Sequence, residues 1–246
     1  MATLSDATKK LIEAVGRVEH YEWTQVQTNY RYNNYGRFIF ETFDYEKLLE
    51  KIEETIRSKG LPEDFRQYTI NRWYNYMTSL VICDFFLSHP RVRRCPERRN
   101  KQVDFFVDGK PFDLKVTFIP KYWSFKRALS ALRDPRKLII YYYEGMGADR
   151  AHFGAKIFFV MVDINNIGSH PWWMKREFDA LERVVKLYLD RTRETEFFRN
   201  FRVRSKGSYV TVKAADAIFL IKKDKGFYYS FFRWKDNIPR AIMGRI

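Results

Sequence analysis

The chain has 246 residues, 45 Lys and Arg against 30 Asp and Glu, a net charge of +15 and a pI near 9.7. That length suits one or two domains with a substantial core, and the basic excess favours a polyanionic partner, because neutralised phosphates release counterions. Two cysteines without a C-x-x-C pair (Cys83, Cys95) and four scattered histidines (His20, His89, His152, His170) argue against a structural zinc site. No basic-then-apolar leader opens the chain and no run of about eighteen apolar residues occurs. The expectation is a cytoplasmic, reducing setting with no membrane partner.

Two amphipathic helices are predicted first, over residues 4–19 and 44–59. In the second, Leu48, Leu49, Ile52 and Ile56 recur at helical spacing, and Gly60 with Pro62 stops it. Between them, Tyr21 to Tyr35 is aromatic and amide-rich and admits either an ordered arm or a long loop. Residues 69–87 predict a buried helix, apolar on almost every side (Trp73, Met77, Leu80, Val81, Phe85, Leu87), ended by Pro90. Asp84 falls on the Trp73–Met77–Leu80 stripe, where a carboxylate needs a partner. Arg91, Arg93 and Arg94 are candidates for that role. A first strand and loop follow over 91–99, with five arginines in nine residues, an electrostatic footprint for phosphates or else a solvated basic loop.

The most informative segment is Val103 to Thr117. Asp108-Gly109 between two apolar runs signals a two-residue hairpin turn with positive φ at both positions. Counting back from that turn pairs Val107 with Lys110, Phe106 with Pro111, Phe105 with Phe112 and Asp104 with Asp113. Val103, Phe105, Val107, Phe112, Leu114 and Val116 form an apolar face. Asp104, Phe106, Asp113, Lys115 and Thr117 lie on the other. Opposed carboxylates repel, so they require a shared proton or a cation, and a divalent metal is the expected occupant. The plain alternative is a solvated hairpin in which Asp113 and Lys115 form an ordinary same-face pair.

Beyond the hairpin, Pro120-Lys121-Tyr122-Trp123 and a helix over 124–133 add cations and aromatics. Leu138–Tyr143 reads as a strand and Ile157–Val162 as a buried one. A helix is predicted over about 173–190, then strands at 208–213, 217–222 and Phe227–Phe232. Arg150 and Lys156, just before the buried strand, are possible phosphate contacts or solvated cations. This order suits an α/β fold with a central mixed sheet flanked by helices.

Asp104, eight residues, then Asp113-Leu114-Lys115 resembles the signature of the PD-(D/E)XK nuclease superfamily, in which an Asp opens one strand of a hairpin and an acid-x-Lys triplet sits on the next. Val103 stands where that family's Pro would. The resemblance implies a restriction-endonuclease-like core at 67–246, with a helical N-terminal extension at 1–66 unless the whole forms one unit. It implies a metal-dependent nuclease, most simply a DNA endonuclease of restriction or defence type. Asp104, Asp113 and Lys115 would be catalytic, and Mg²⁺ or Mn²⁺ would sit on Asp104 and Asp113. Asp84 would be an added metal acid from the preceding helix. Arg93, Arg94, Arg98, Arg99, Lys121 and Arg150 are candidate contacts to double-stranded DNA, and Thr117 a support for the lysine. Cleaving both strands would suit a homodimer. The alternative is a non-catalytic basic nucleic-acid-binding protein on the same fold.

Overall fold

A computed structural model describes residues 4–19, 29–97, 102–145, 154–192, 197–205 and 207–246. Its contacts group into two units, 1–84 with 172–178, and 85–171 with 179–246.

The first unit is helical. Helix α1 (Asp6–Gly16) starts at Ser5, whose hydroxyl accepts from the Thr8 N–H, as an N-cap should. Helix α2 (Tyr30–Tyr35) begins at Asn29, within the aromatic stretch whose residues 20–28 lie outside the described structure. Helix α3 (Tyr45–Lys59) is capped by Asp44 and ends at Gly60, whose φ of 58° is the left-handed conformation that glycine adopts cheaply. Helix α4 (Asp64–Leu87) is longer than expected, with Trp73, Tyr74, Met77, Val81 and Ile82 fully buried.

The second unit is an α/β layer structure around an open mixed sheet of eight strands: β1 (Val92–Arg94), β2 (Phe105–Val107), β3 (Lys110–Phe118), β4 (Lys156–Asp163), β5 (Phe198–Ser205), β6 (Ser208–Lys223), β7 (Gly226–Lys235) and β8 (Ile238–Arg245). The order is β1-β2-β3-β4-β6-β7-β8, with β5 beside β6. Among the strand pairs of the described residues, β3–β4 and β4–β6 are parallel and the others antiparallel. Strand β4 is central and buried along almost its whole length, as a strand covered on both faces must be.

Helices α5 (Phe125–Ala131) and α6 (Arg136–Gly145) cover one face, packing Trp123, Ala128, Leu138, Ile139 and Tyr143 against Phe158, Val160, Ala217, Phe219 and Phe232. On the other face Tyr188 of α7 (Phe178–Arg191) stacks edge-on to Phe231, and the end of α4 lays Phe86 parallel to Phe105 with centroids 4.9 Å apart. Among the described residues no helix is long and apolar enough to cross a membrane.

Three expectations need correction. Leu138–Tyr143 lies in helix α6, not in a strand. Its β-branched and aromatic run also fits a helical face: Leu138, Ile139 and Tyr143 are buried while Tyr141 is exposed. The start signal was present in Asp134-Pro135, since Asp134 accepts from the Arg136 N–H (3.2 Å) and Pro135 occupies the first turn. The two strands expected at 208–213 and 217–222 are one sixteen-residue strand, β6. Ala214-Ala215-Asp216 reads as a break, but Asp216 is fully buried, accepting from the Tyr188 hydroxyl, the Trp234 indole (both 3.0 Å) and the Ala217 N–H. Finally, the helix expected over about 173–190 begins as a 3₁₀ turn, Trp172–Arg176, and is α-helical only from Phe178.

Candidate active site

The hairpin forms in the register read from its turn. Asp108 and Gly109 have φ of 48° and 82°, and the ladder pairs Val107 with Lys110, Phe106 with Pro111 and Phe105 with Phe112. Arg91 fastens the turn. Its guanidinium pairs with the Asp108 carboxylate (Nε 3.0 and 3.1 Å) and donates to the carbonyls of Thr192 (2.6 Å) and Leu189, at the end of α7. This arginine is therefore committed to the fold.

Regular pairing stops at Asp104. Its N–H donates to the Phe112 carbonyl (2.9 Å), and its side chain turns onto the next strand, where Oδ2 accepts from the Leu114 N–H (2.7 Å). The carboxylate thus takes the place of a missing strand partner. A residue's N–H and C=O leave a strand on the same side, so the Leu114 carbonyl faces the same edge, beside Asp104.

Asp113 is 4% exposed and points into a cluster of amines. Lys115 Nζ lies 2.8 Å from Oδ1, and Lys156 Nζ, on the neighbouring strand at the paired position, lies 2.5 Å from Oδ2. Lys115 keeps 45% of its side chain in solvent, whereas Lys156 is 1% exposed. Burial lowers the Lys156 pKa, and the Asp113 charge opposes that shift. The Asp104 pKa is raised, first by desolvation and next by the charge of Asp113 and a hydrogen-bond contact with its carboxyl, against the lowering by the Leu114 N–H and Lys115. The Asp113 charge thus bears on Asp104, although the ladder pairing the two strands ends at Phe105 and Phe112. Above the pair, the Tyr143 hydroxyl donates to the Gly154 carbonyl (2.9 Å), and its pKa is raised by burial and by the Asp113 charge.

The structure thus brings Asp104, Asp113 and Lys115 together and adds Lys156, which the sequence offered only as a phosphate contact. A lysine opening an apolar strand in parallel register with a buried acid was the available signal. Asp84 belongs to the first unit, where it accepts from the Thr8 hydroxyl (3.0 Å). Thr117 contacts the Tyr142 hydroxyl, which also donates to the Phe118 carbonyl (2.7 Å). Arg93, Arg94 and Lys121 are exposed, while Arg98, Arg99 and Arg150 lie outside the described residues.

Magnesium and manganese take hard oxygen donors, and Mg²⁺ is commonly held by one or two carboxylates plus water and substrate phosphate. Asp104 Oδ1, Asp113 Oδ1 and the Leu114 carbonyl fit that donor type, provided that the half-exposed Lys115 swings off Asp113. Among the described residues no group of three or more His, Cys, Asp or Glu side chains converges. Compared with known proteins, the chain matches no family model, no curated protein and no solved structure.

Proposed function

We propose that the protein is a metal-dependent nuclease that hydrolyses phosphodiester bonds, a DNA endonuclease of restriction or defence type. The observation that carries this is the acid-x-Lys pair of Asp113 and Lys115, 2.8 Å apart, with the Asp104 carboxylate held on the Leu114 N–H between them (2.7 Å). The chain's order of a helix, a first strand, an Asp at the end of a hairpin strand and an acid-x-Lys on the next agrees with the PD-(D/E)XK pattern.

Asp104 and Asp113 would hold Mg²⁺ or Mn²⁺. When bound, the cation would lower the pKa of its water and neutralise charge on the scissile phosphate. Lys156 fixes the orientation of Asp113 from the buried side. Lys115, released from Asp113 toward solvent, orients the attacking water and contacts the phosphate. Tyr143 and the α6 layer shut water out from behind Asp113.

Plasmid and oligonucleotide cleavage with Mg²⁺, Mn²⁺ or EDTA tests this. Wild type should cut only with metal, and Lys115→Ala should lose cleavage while keeping DNA binding. Undiminished nicking by Lys115→Ala would sink the assignment.

A second function has its own support. The buried acid Asp113 already has two amines as partners, so it needs no metal to satisfy it. A non-catalytic nucleic-acid binder on this fold would need nothing more, and would show no Mg²⁺ or Mn²⁺ binding at Asp104 and Asp113.

A further inference from the structure

The segment from Phe197 to Ala215 contains five cations, Arg199, Arg202, Arg204, Lys206 and Lys213, and not one Asp or Glu. It folds as the β5–β6 hairpin, pairing Arg202 with Thr211 and Arg204 with Tyr209. One side of this ribbon is apolar: Phe198, Phe201, Val203 and Val212 all join the cluster beneath α6. The three-residue step from Phe198 to Phe201 breaks strand alternation, and it spans Asn200, whose φ is 51°. That kink turns Arg202, Arg204 and Lys213 outward together, all of them exposed. Among the described residues no salt bridge reaches any of the three, although the Arg204 N–H donates to Glu144 (3.1 Å). The Arg202 guanidinium lies 5.1 Å from the centre of the Tyr209 ring, which is 64% exposed.

The register places this ribbon beside the candidate active site. Asp113, Lys156, Ala215 and Phe198 occupy one row across four adjacent strands. With strands about 4.8 Å apart, the root of the ribbon on β6 stands about 10 Å from Asp113. Strand β4 begins at this row, whereas β6 continues past it, and among the described residues no strand extends the β4 lane. A cleft of about 550 Å³ occupies that end of the sheet, lined by Lys110, Pro111 and Phe112 on one side and Arg199, Thr211 and Lys213 on the other. Asp113 points toward α6 and the ribbon's cations point away from it. A ligand reaching both must lie across the end of the sheet, and only an extended polyanion meets that condition.

We propose that the outward face of the β5–β6 ribbon and the cleft at its root grip the phosphate backbone of a nucleic acid without reading its sequence. The inference rests on the nucleic-acid part of the proposed function but not on catalysis. Its test therefore uses binding in EDTA: anisotropy of a labelled DNA duplex as a function of salt, for wild type and Arg202→Ala/Arg204→Ala/Lys213→Ala. Each lost phosphate contact should flatten the log–log salt slope by about 0.9, so three should flatten it by about 2.7. Between about 50 and 200 mM salt, wild type should then lose roughly 40-fold more affinity than the variant. The changed side chains face solvent, and an unchanged melting temperature will confirm an intact fold. A variant with the wild-type slope, or a polyglutamate competing as well as DNA, overturns the inference. If the slope falls as expected while no metal supports cleavage, the ribbon stands and the nuclease assignment fails.

Discussion

Replacing Lys156 with methionine is the sharpest probe of the buried end of the site. The side chain is 1% exposed and its amine lies 2.5 Å from Asp113, itself 4% exposed. Methionine fills much of the same space, so packing loss is small and the effect is chiefly electrostatic. Removing one partner of a buried pair costs about 3–5 kcal/mol when the remaining charge is stranded. Here Asp113 retains Lys115 at 2.8 Å, but that amine is half solvated, and an exposed pair contributes only about 0–1 kcal/mol. The expected loss for Lys156→Met is therefore about 2–4 kcal/mol, and for Lys115→Ala about 1 kcal/mol or less. Chemical denaturation followed by tryptophan fluorescence measures both. In the cycle with Asp113→Leu, the double variant should be more stable than the sum of the single losses, because no charge is left stranded. A Lys156→Met protein as stable as wild type would refute the mutual dependence of Asp113 and Lys156. The pH dependence reports the burial of the amine, which outweighs its pairing with Asp113. The folded pKa of Lys156 is lowered, so its contribution is complete above the ordinary lysine value and is lost as pH falls through the depressed one. Lys156→Met should remove that dependence.

Asp104 shows the opposite sign. Its folded pKa is raised, so its contribution is present below the ordinary aspartate value and is lost as pH rises through the raised one. Asp104→Asn keeps an acceptor for the Leu114 N–H, and thermal melts should show its stability relative to wild type improving as pH rises through that window. A constant difference across pH would rule this out. Gly109 sits at φ 82° with open space around a would-be Cβ, so Gly109→Ala tests backbone strain alone. It should cost about 1–2 kcal/mol in denaturant melts, and no measurable loss would argue against the left-handed turn.

The hairpin was legible because its determinants are local. Asp108-Gly109 specifies the turn, the turn specifies the register as far as Phe105 and Phe112, and alternation puts Asp113 and Lys115 on one face. Helix α3 was equally readable, with a capping Asp and a terminal glycine bracketing a fifteen-residue helix that carries a periodic apolar stripe. Strand β5 and the edge strand β8 went unseen. In β5, arginines alternate with apolar residues, and in β8 the exposed pattern gives no buried run to detect.

Residues 138–143 show where local information fails. Six β-branched, leucine and tyrosine side chains satisfy both a two-residue and a 3.6-residue period, and docking against Phe158 and Phe201 selects the helix. Lys156 is a similar case, since only the parallel pairing of β3 with β4, about forty residues apart, turns a loop cation into the buried partner of Asp113. The sequence by itself determined the turn, the hairpin register from Val107–Lys110 to Phe105–Phe112, and the charge. Tertiary structure decided which distant amine neutralises Asp113 and which face the cationic ribbon presents, because neighbours across a sheet are set by strand order and not by spacing along the chain.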